Sequence, residues 1–225
     1  MTNTVFTRSY DSPDIDIGEI LRYAGVRGEA PELDDLLRGC LDEARGKLIY
    51  KVCYREFPVA QLDGKLDLGF CETESAALMK NLAGCSRILL FAATIGIGID
   101  RLIARYGTVS PAKALMLQAI GAERIESLCD AFNREIAAEY AQAGFATRPR
   151  FSPGYGDMPI SVQKEIFSVL DCPRKIGLSL NDSMLMSPSK SVTALIGITS
   201  GDNCYMREHK CGDCDKQDCG FRRKI

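Results

Sequence analysis

Apolar positions first recur at helical spacing over residues 31–48, where Leu33, Leu36, Leu37, Cys40 and Leu41 share a face and Pro31 suits a first turn. From residue 49 to 70 the pattern shortens to that of strands. Ala60-Gln61-Leu62 and Lys65-Leu66-Asp67-Leu68 flank Asp63-Gly64, a pair suited to a two-residue hairpin turn. Thr73 is placed to cap a helix running to Leu82, which Gly84 stops. The run Ile88-Leu89-Leu90-Phe91-Ala92-Ala93 is too short to cross a membrane and predicts a buried central strand. Gly96-Ile97-Gly98 then reads as a strand-to-helix turn. It lacks the spacing of a dinucleotide loop, because position 101 is Arg. A short helix over residues 100–106 ends at Gly107.

Ser110-Pro111 opens the longest helix, to about residue 143, with Leu117, Gly121, Ile125, Leu128, Phe132 and Ile136 on its buried stripe. Gly121 suits close packing against another element. Glu123, Glu126, Asp130 and Arg134 lie off that stripe and read as a solvated face, with Glu123 and Arg124 as a structural ion pair. Gly144 ends the helix. A second, shorter helix follows over 161–170, and residues 176–199 are strand-like, broken by Ser187-Pro188-Ser189. Val192 to Ile198 is apolar enough for a buried strand. Residues 1–30 are polar and irregular, with Asp11, Pro13, Asp14 and Asp16 ahead of Ile17, Ile20 and Leu21.

Residues 1–200 thus predict one α+β domain, and 201–225 a separate cysteine-rich tail. At 225 residues, 46% of them hydrophobic, the chain is long enough to bury about 70% of its extended surface. A formal net charge of −2 argues against nucleic acid as the main partner, since phosphate binding relies on a basic face. No apolar run of membrane-spanning length and no secretory pattern is present, so a cytoplasmic protein is expected. In that reducing setting, Cys40, Cys53, Cys71, Cys85, Cys129 and Cys172, scattered among apolar neighbours, read as core residues.

Between the two helices lies Arg150-Phe151-Ser152-Pro153-Gly154-Tyr155-Gly156-Asp157. Pro153 stiffens the backbone and biases Ser152 toward extended geometry. Gly154 and Gly156 allow positive φ or close approach of a ligand to the main chain. Arg150 offers a planar fork of donors for a carboxylate, and Tyr155 an apolar ring with a polar tip. The stretch suits an anionic or zwitterionic small molecule; the other reading is a rigid surface turn with a solvated arginine.

Arg-x-x-Pro-Gly-Tyr resembles the signature loop of the reactivation domain of cobalamin-dependent methionine synthase, which binds S-adenosylmethionine. Upstream, Ala122-Glu123-Arg124, Asp130-Ala131-Phe132 and Glu139-Tyr140 are similar to the family's long helix. Downstream, Ile176-Gly177-Leu178-Ser179-Leu180-Asn181-Asp182-Ser183, Met184-Leu185-Met186-Ser187-Pro188 and Ser191-Val192 continue in step. The resemblance spans roughly residues 88–198. Two departures stand out: Gly156-Asp157-Met158-Pro159 replaces a Pro-x-Cys-Pro-x-His-like stretch, and Leu195-Ile196-Gly197 stands where the family shows aromatics.

The resemblance implies a curved, twisted, mainly antiparallel sheet with packed helices. It implies an S-adenosylmethionine site in which Arg150 pairs with the methionine carboxylate, the backbone of Pro153 and Gly154 receives polar groups, and Tyr155 packs near the sulfonium or adenosyl part. An N-terminal acid adds a ligand contact. The chain has no cobalamin, homocysteine or folate domain, which implies a free-standing reactivator. It would act in trans on a cob(II)alamin-containing methionine synthase or related corrinoid protein, fed by a donor such as flavodoxin or ferredoxin. The alternative is a non-catalytic, metal-stabilised module that binds a corrinoid protein without using S-adenosylmethionine.

Cys204, Cys211, Cys214 and Cys219 form C-x6-C-x2-C-x4-C in a polar segment too poor in apolar residues to make its own core. Four thiolates with one C-x2-C pair suit a 4Fe-4S cluster or, alternatively, a tetrahedral zinc, with redox disulfides as a third option. A task that needs an electron favours the cluster.

Overall fold

A computed structural model describes residues 4–26, 28 and 30–200. At its centre runs β6 (Arg87–Thr94), six of whose residues are the unbroken apolar run Ile88–Ala93. It pairs antiparallel with β2 (Tyr50–Pro58) on one side and β10 (Ser191–Ser200) on the other. Outside these lie β1 (Phe6–Tyr10) and β7 (Phe145–Thr147), giving a curled antiparallel sheet of order β1-β2-β6-β10-β7. Side chains alternate across the pleat, so an unbroken apolar strand must be covered on both faces. Leu89, Phe91 and Ala93 join one core with Ile196 and Ile198, while Ile88, Leu90 and Ala92 join a second with Leu195.

The first face is covered by α1 (Ile17–Tyr23), α2 (Asp34–Ala44), α4 (Gly98–Tyr106) and the 32-residue α5 (Pro111–Gln142). The second carries α3 (Ala76–Asn81), α6 (Gln163–Leu170), α7 (Cys172–Ile176) and a small sheet of β3 (Ala60–Leu62), β4 (Lys65–Asp67) and β5 (Glu72–Thr73). A two-stranded ribbon of β8 (Ser179–Leu180) and β9 (Met186–Ser187) precedes β10. Among the described residues no helix is long and apolar enough to cross a membrane.

The central strand, the hairpin at Asp63-Gly64 and the buried stripe of α5 lie where the sequence placed them. Gly121 does permit close approach: a Cβ there would sit 3.0 Å from Lys190 and 3.1 Å from Ile99. Several local expectations are corrected. Residues 1–30 are not irregular throughout, because β1 pairs with β2 and Asp16 caps α1 by accepting from the Glu19 N–H. The helix from Pro31 ends at Ala44, short of residue 48. Ser75, not Thr73, caps α3: its hydroxyl accepts from the Leu78 N–H at 3.1 Å, and Thr73 accepts from Ser75 instead. Ile176 closes a helical turn rather than opening a strand.

Gly96 and Gly98 serve as the predicted turn into α4. A Cβ on Gly98 would lie 2.0 Å from the Lys47 carbonyl oxygen. Backbone there cannot yield cheaply, so Gly98→Ala is expected to cost about 1–3 kcal/mol in urea unfolding. An unchanged midpoint would show that the two segments part without strain.

Candidate functional site

After α5, the chain runs back along the free edge of β10. Arg148 N donates to the Gly197 carbonyl at 2.8 Å, and Phe151 and Leu195 exchange two 2.9 Å bonds. This extended track sends alternate side chains to opposite faces. Phe151 joins the second core, and Arg150 meets α5 on the other side.

There the Arg150 fork straddles two acids one helical turn apart. Nη1 donates to Asp130 Oδ1 at 2.5 Å and Nη2 to Glu126 Oε2. With its amide oriented to donate to the Cys129 carbonyl at 3.3 Å, Asn133 accepts from Nη1 at 3.0 Å. Burial works against the Arg150 charge, but facing Cys129, Glu126 and Asp130 outweigh it and hold the pKa above the ordinary arginine value. The side chain is nevertheless not sealed from water, with 24% of it exposed. It has five donors, so the two carboxylates do not exhaust it.

Beyond Arg150 the loop turns tightly. Gly154 and Gly156 have φ of 88° and 55°, the left-handed region that their lack of a side chain permits. Tyr155 N donates to the Ser152 carbonyl at 3.1 Å, and Gly154 N to the Met158 carbonyl at 2.9 Å. Pro153 is buried beneath the turn, and Tyr155 stands at its tip, 69% exposed.

Two further contacts fix the loop to α3. Asp157 accepts from Ser75 Oγ, from Ala76 N at 2.7 Å and from Ala77 N at 3.2 Å. The hydrogen bond from Ser75, with help from the backbone donors, lowers the Asp157 pKa below its ordinary value of 3.8. At the other end of α3, Asn81 Nδ2 donates to the Pro149 carbonyl at 3.2 Å.

One turn back along α5, Glu123 and Arg124 are almost wholly buried and paired at 2.5 Å. The structural ion pair expected from the sequence is there, but Glu123 is not on a solvated face. Its Oε1 accepts from Asp16 N at 3.0 Å and Ser127 Oγ at 2.7 Å, while Arg124 donates to the Pro13 carbonyl at 2.6 Å and to that of Asp14. The Asp14 side chain stays exposed, and that of Asp16 is committed to capping α1.

Arg150, Pro153, Gly154 and Tyr155 therefore fall on one short loop, as the sequence indicated. Glu126 and Asp130 were missed as partners. They are half-solvated, with side chains 41% and 52% exposed, and a solvated-face reading of them was natural. The available signal was their i, i+4 spacing on a helix that the following loop must retrace. Cys40, Cys53, Cys129 and Cys172 are buried free thiols, and Cys71 and Cys85 are half-buried. Cys204, Cys211, Cys214 and Cys219 lie outside the described residues; among those described, no cluster of His, Cys, Asp or Glu is placed to hold a metal.

Three comparisons bear on this arrangement. The family described as "Vitamin B12 dependent methionine synthase, activation domain" matches residues 78–223, well over half of the chain. Among solved structures, the crystal structure of the MetH reactivation domain bound to AdoHcy superposes with a TM-score of 0.61 at 16% identity, covering 86% of this chain and 78% of that one. No curated protein matches.

Proposed function

This chain belongs to the family of the vitamin B12 dependent methionine synthase activation domain, and from that premise we propose that it binds S-adenosylmethionine on the loop at residues 150–157. The observation that carries this reading is the Arg150–Glu126–Asp130 cluster. One guanidinium against two carboxylates leaves a formal charge of −1. S-adenosylmethionine carries an ammonium, a sulfonium and a carboxylate, a sum of +1. Arg150 suits the carboxylate and the two acids suit the ammonium, so the cluster matches the amino-acid end group by group. The backbone at Pro153 and Gly154 receives polar groups of the ligand, and the exposed Tyr155 ring attracts the sulfonium by cation–π contact. That the fold is shared with a domain solved with AdoHcy supports the same ligand class.

In this reading the protein orients the donor methyl toward a cobalamin brought by a methionine synthase or related corrinoid protein acting in trans. The partner's cobalamin supplies the nucleophilic metal that accepts the methyl group once reduced. The chain's own part is to hold and aim the sulfonium, so positioning carries the step and no general base is required. Cobalamin bound to the partner would need an electron to accept the methyl group, and flavodoxin or ferredoxin would fit as its donor. A reducing cytoplasm suits the free thiols.

The test is calorimetric titration of AdoHcy into the protein, followed by reactivation of a methionine synthase lacking its own activation domain. Absence of both would favour the second reading, a non-catalytic module. That reading has one observation behind it: Arg150 already engages two acids, as a purely structural arginine would.

The four tail cysteines fit a tetrathiolate site by donor set and spacing. We propose a 4Fe-4S cluster there, which would supply an electron, with zinc as the alternative. Protein purified without oxygen is expected to be brown with a broad visible absorption that dithionite bleaches. A colourless preparation with one equivalent of zinc would remove the redox role.

A further inference from the structure

We propose that Asp157 is a positioning residue for ligand binding, holding the loop in its receptive shape by clamping it to α3. The inference rests on the reading of that loop as the ligand site. It concerns Gly156-Asp157, the pair that directly follows Tyr155. A glycine leaves the backbone there free, and stiffness is supplied from outside the loop. The Asp157 carboxylate accepts three hydrogen bonds from the first turn of α3, from Ser75 Oγ, Ala76 N and Ala77 N. Those N–H groups have no partner within the helix, so both sides of the contact gain.

Gly156 completes the fit. A Cβ there would lie 2.8 Å from the Ala77 Cβ, so only glycine lets the loop sit down on α3. Ser75 serves two ends at once, accepting from Leu78 N at 3.1 Å to cap the helix and donating to Asp157. The segment before the signature loop is tied to the other end of α3, where Asn81 donates to the Pro149 carbonyl and Arg148 donates to the Ala83 carbonyl at 2.9 Å. Helix α3 therefore spans the loop like a splint, fixing it on both sides of Tyr155.

The carboxylate form makes the clamp. The folded pKa lies below 3.8, so the contact is complete at neutral pH and is lost only as pH falls through that lowered value. The clamp therefore adds no pH dependence of its own to ligand affinity from neutrality down to about pH 5.

The test compares wild type with Asp157→Ala and Asp157→Asn by calorimetry with AdoHcy and by hydrogen exchange. Alanine is expected to weaken binding about tenfold, and asparagine, which keeps one acceptor, by less. The thermal midpoint should stay within two degrees or so, because the clamp is local and exposed. Exchange should quicken in residues 74–82 and 149–160 and nowhere else. Full affinity in the alanine variant overturns the inference and leaves the ligand reading intact. A lowered midpoint with unchanged affinity makes Asp157 structural only, which also overturns it. Failure of wild type to bind defeats the ligand reading itself, and the exchange pattern then reports the clamp separately.

Discussion

Arg150→Ala is expected to lower AdoHcy affinity by on the order of 100-fold, about 3 kcal/mol. The guanidinium is the only cation in the cluster, and its loss leaves Glu126 and Asp130 facing the ligand carboxylate with nothing to offset them. Arg150→Lys separates charge from shape. An ammonium keeps the sign but cannot reach both acids and a ligand carboxylate in one plane, so its loss should be intermediate. Stability should change little in either variant. The acids are half-solvated and an i, i+4 like-charge pair on a helix costs about 0.2–0.5 kcal/mol. Calorimetry beside urea unfolding checks both claims. A variant that binds normally while unfolding far earlier would make Arg150 a structural strut.

The same residue shows what the sequence could disclose. That Arg150, Pro153, Gly154 and Tyr155 share one loop was legible because they lie within six residues and are chemically distinctive. So was β6, since an apolar run covered on both faces needs no partner to be recognised. Glu126 and Asp130 were not, because their partner comes from a chain reversal about twenty residues later, and a half-exposed acid on a helix reads as solvated. Asp157 escaped for the same reason: its meaning depends on α3, some eighty residues away in sequence. Short edge elements were hardest. The three residues of β7 carry too little periodicity to signal a strand, and β1 reads as polar because its outer side meets water.

Breaking the Glu123–Arg124 pair should give the largest loss of stability in the molecule. The Arg124 and Glu123 side chains are 1% and 2% exposed, and each leaves the other charged and unpaired in the core when it is removed. Arg124→Met and Glu123→Leu are each expected to cost about 3–5 kcal/mol, a large share of the 5–15 kcal/mol typical of a whole domain. The double variant should recover part of this, because no charge remains stranded. It should not recover all. Arg124 also ties down the carbonyls of Pro13 and Asp14, and Glu123 the N–H of Asp16, so each single variant loses part of the hold of residues 13–16 on α5 and the double variant loses all of these bonds. Urea unfolding of the four proteins gives the coupling energy directly. Losses below about 1 kcal/mol for both single variants would mean that water reaches the pair.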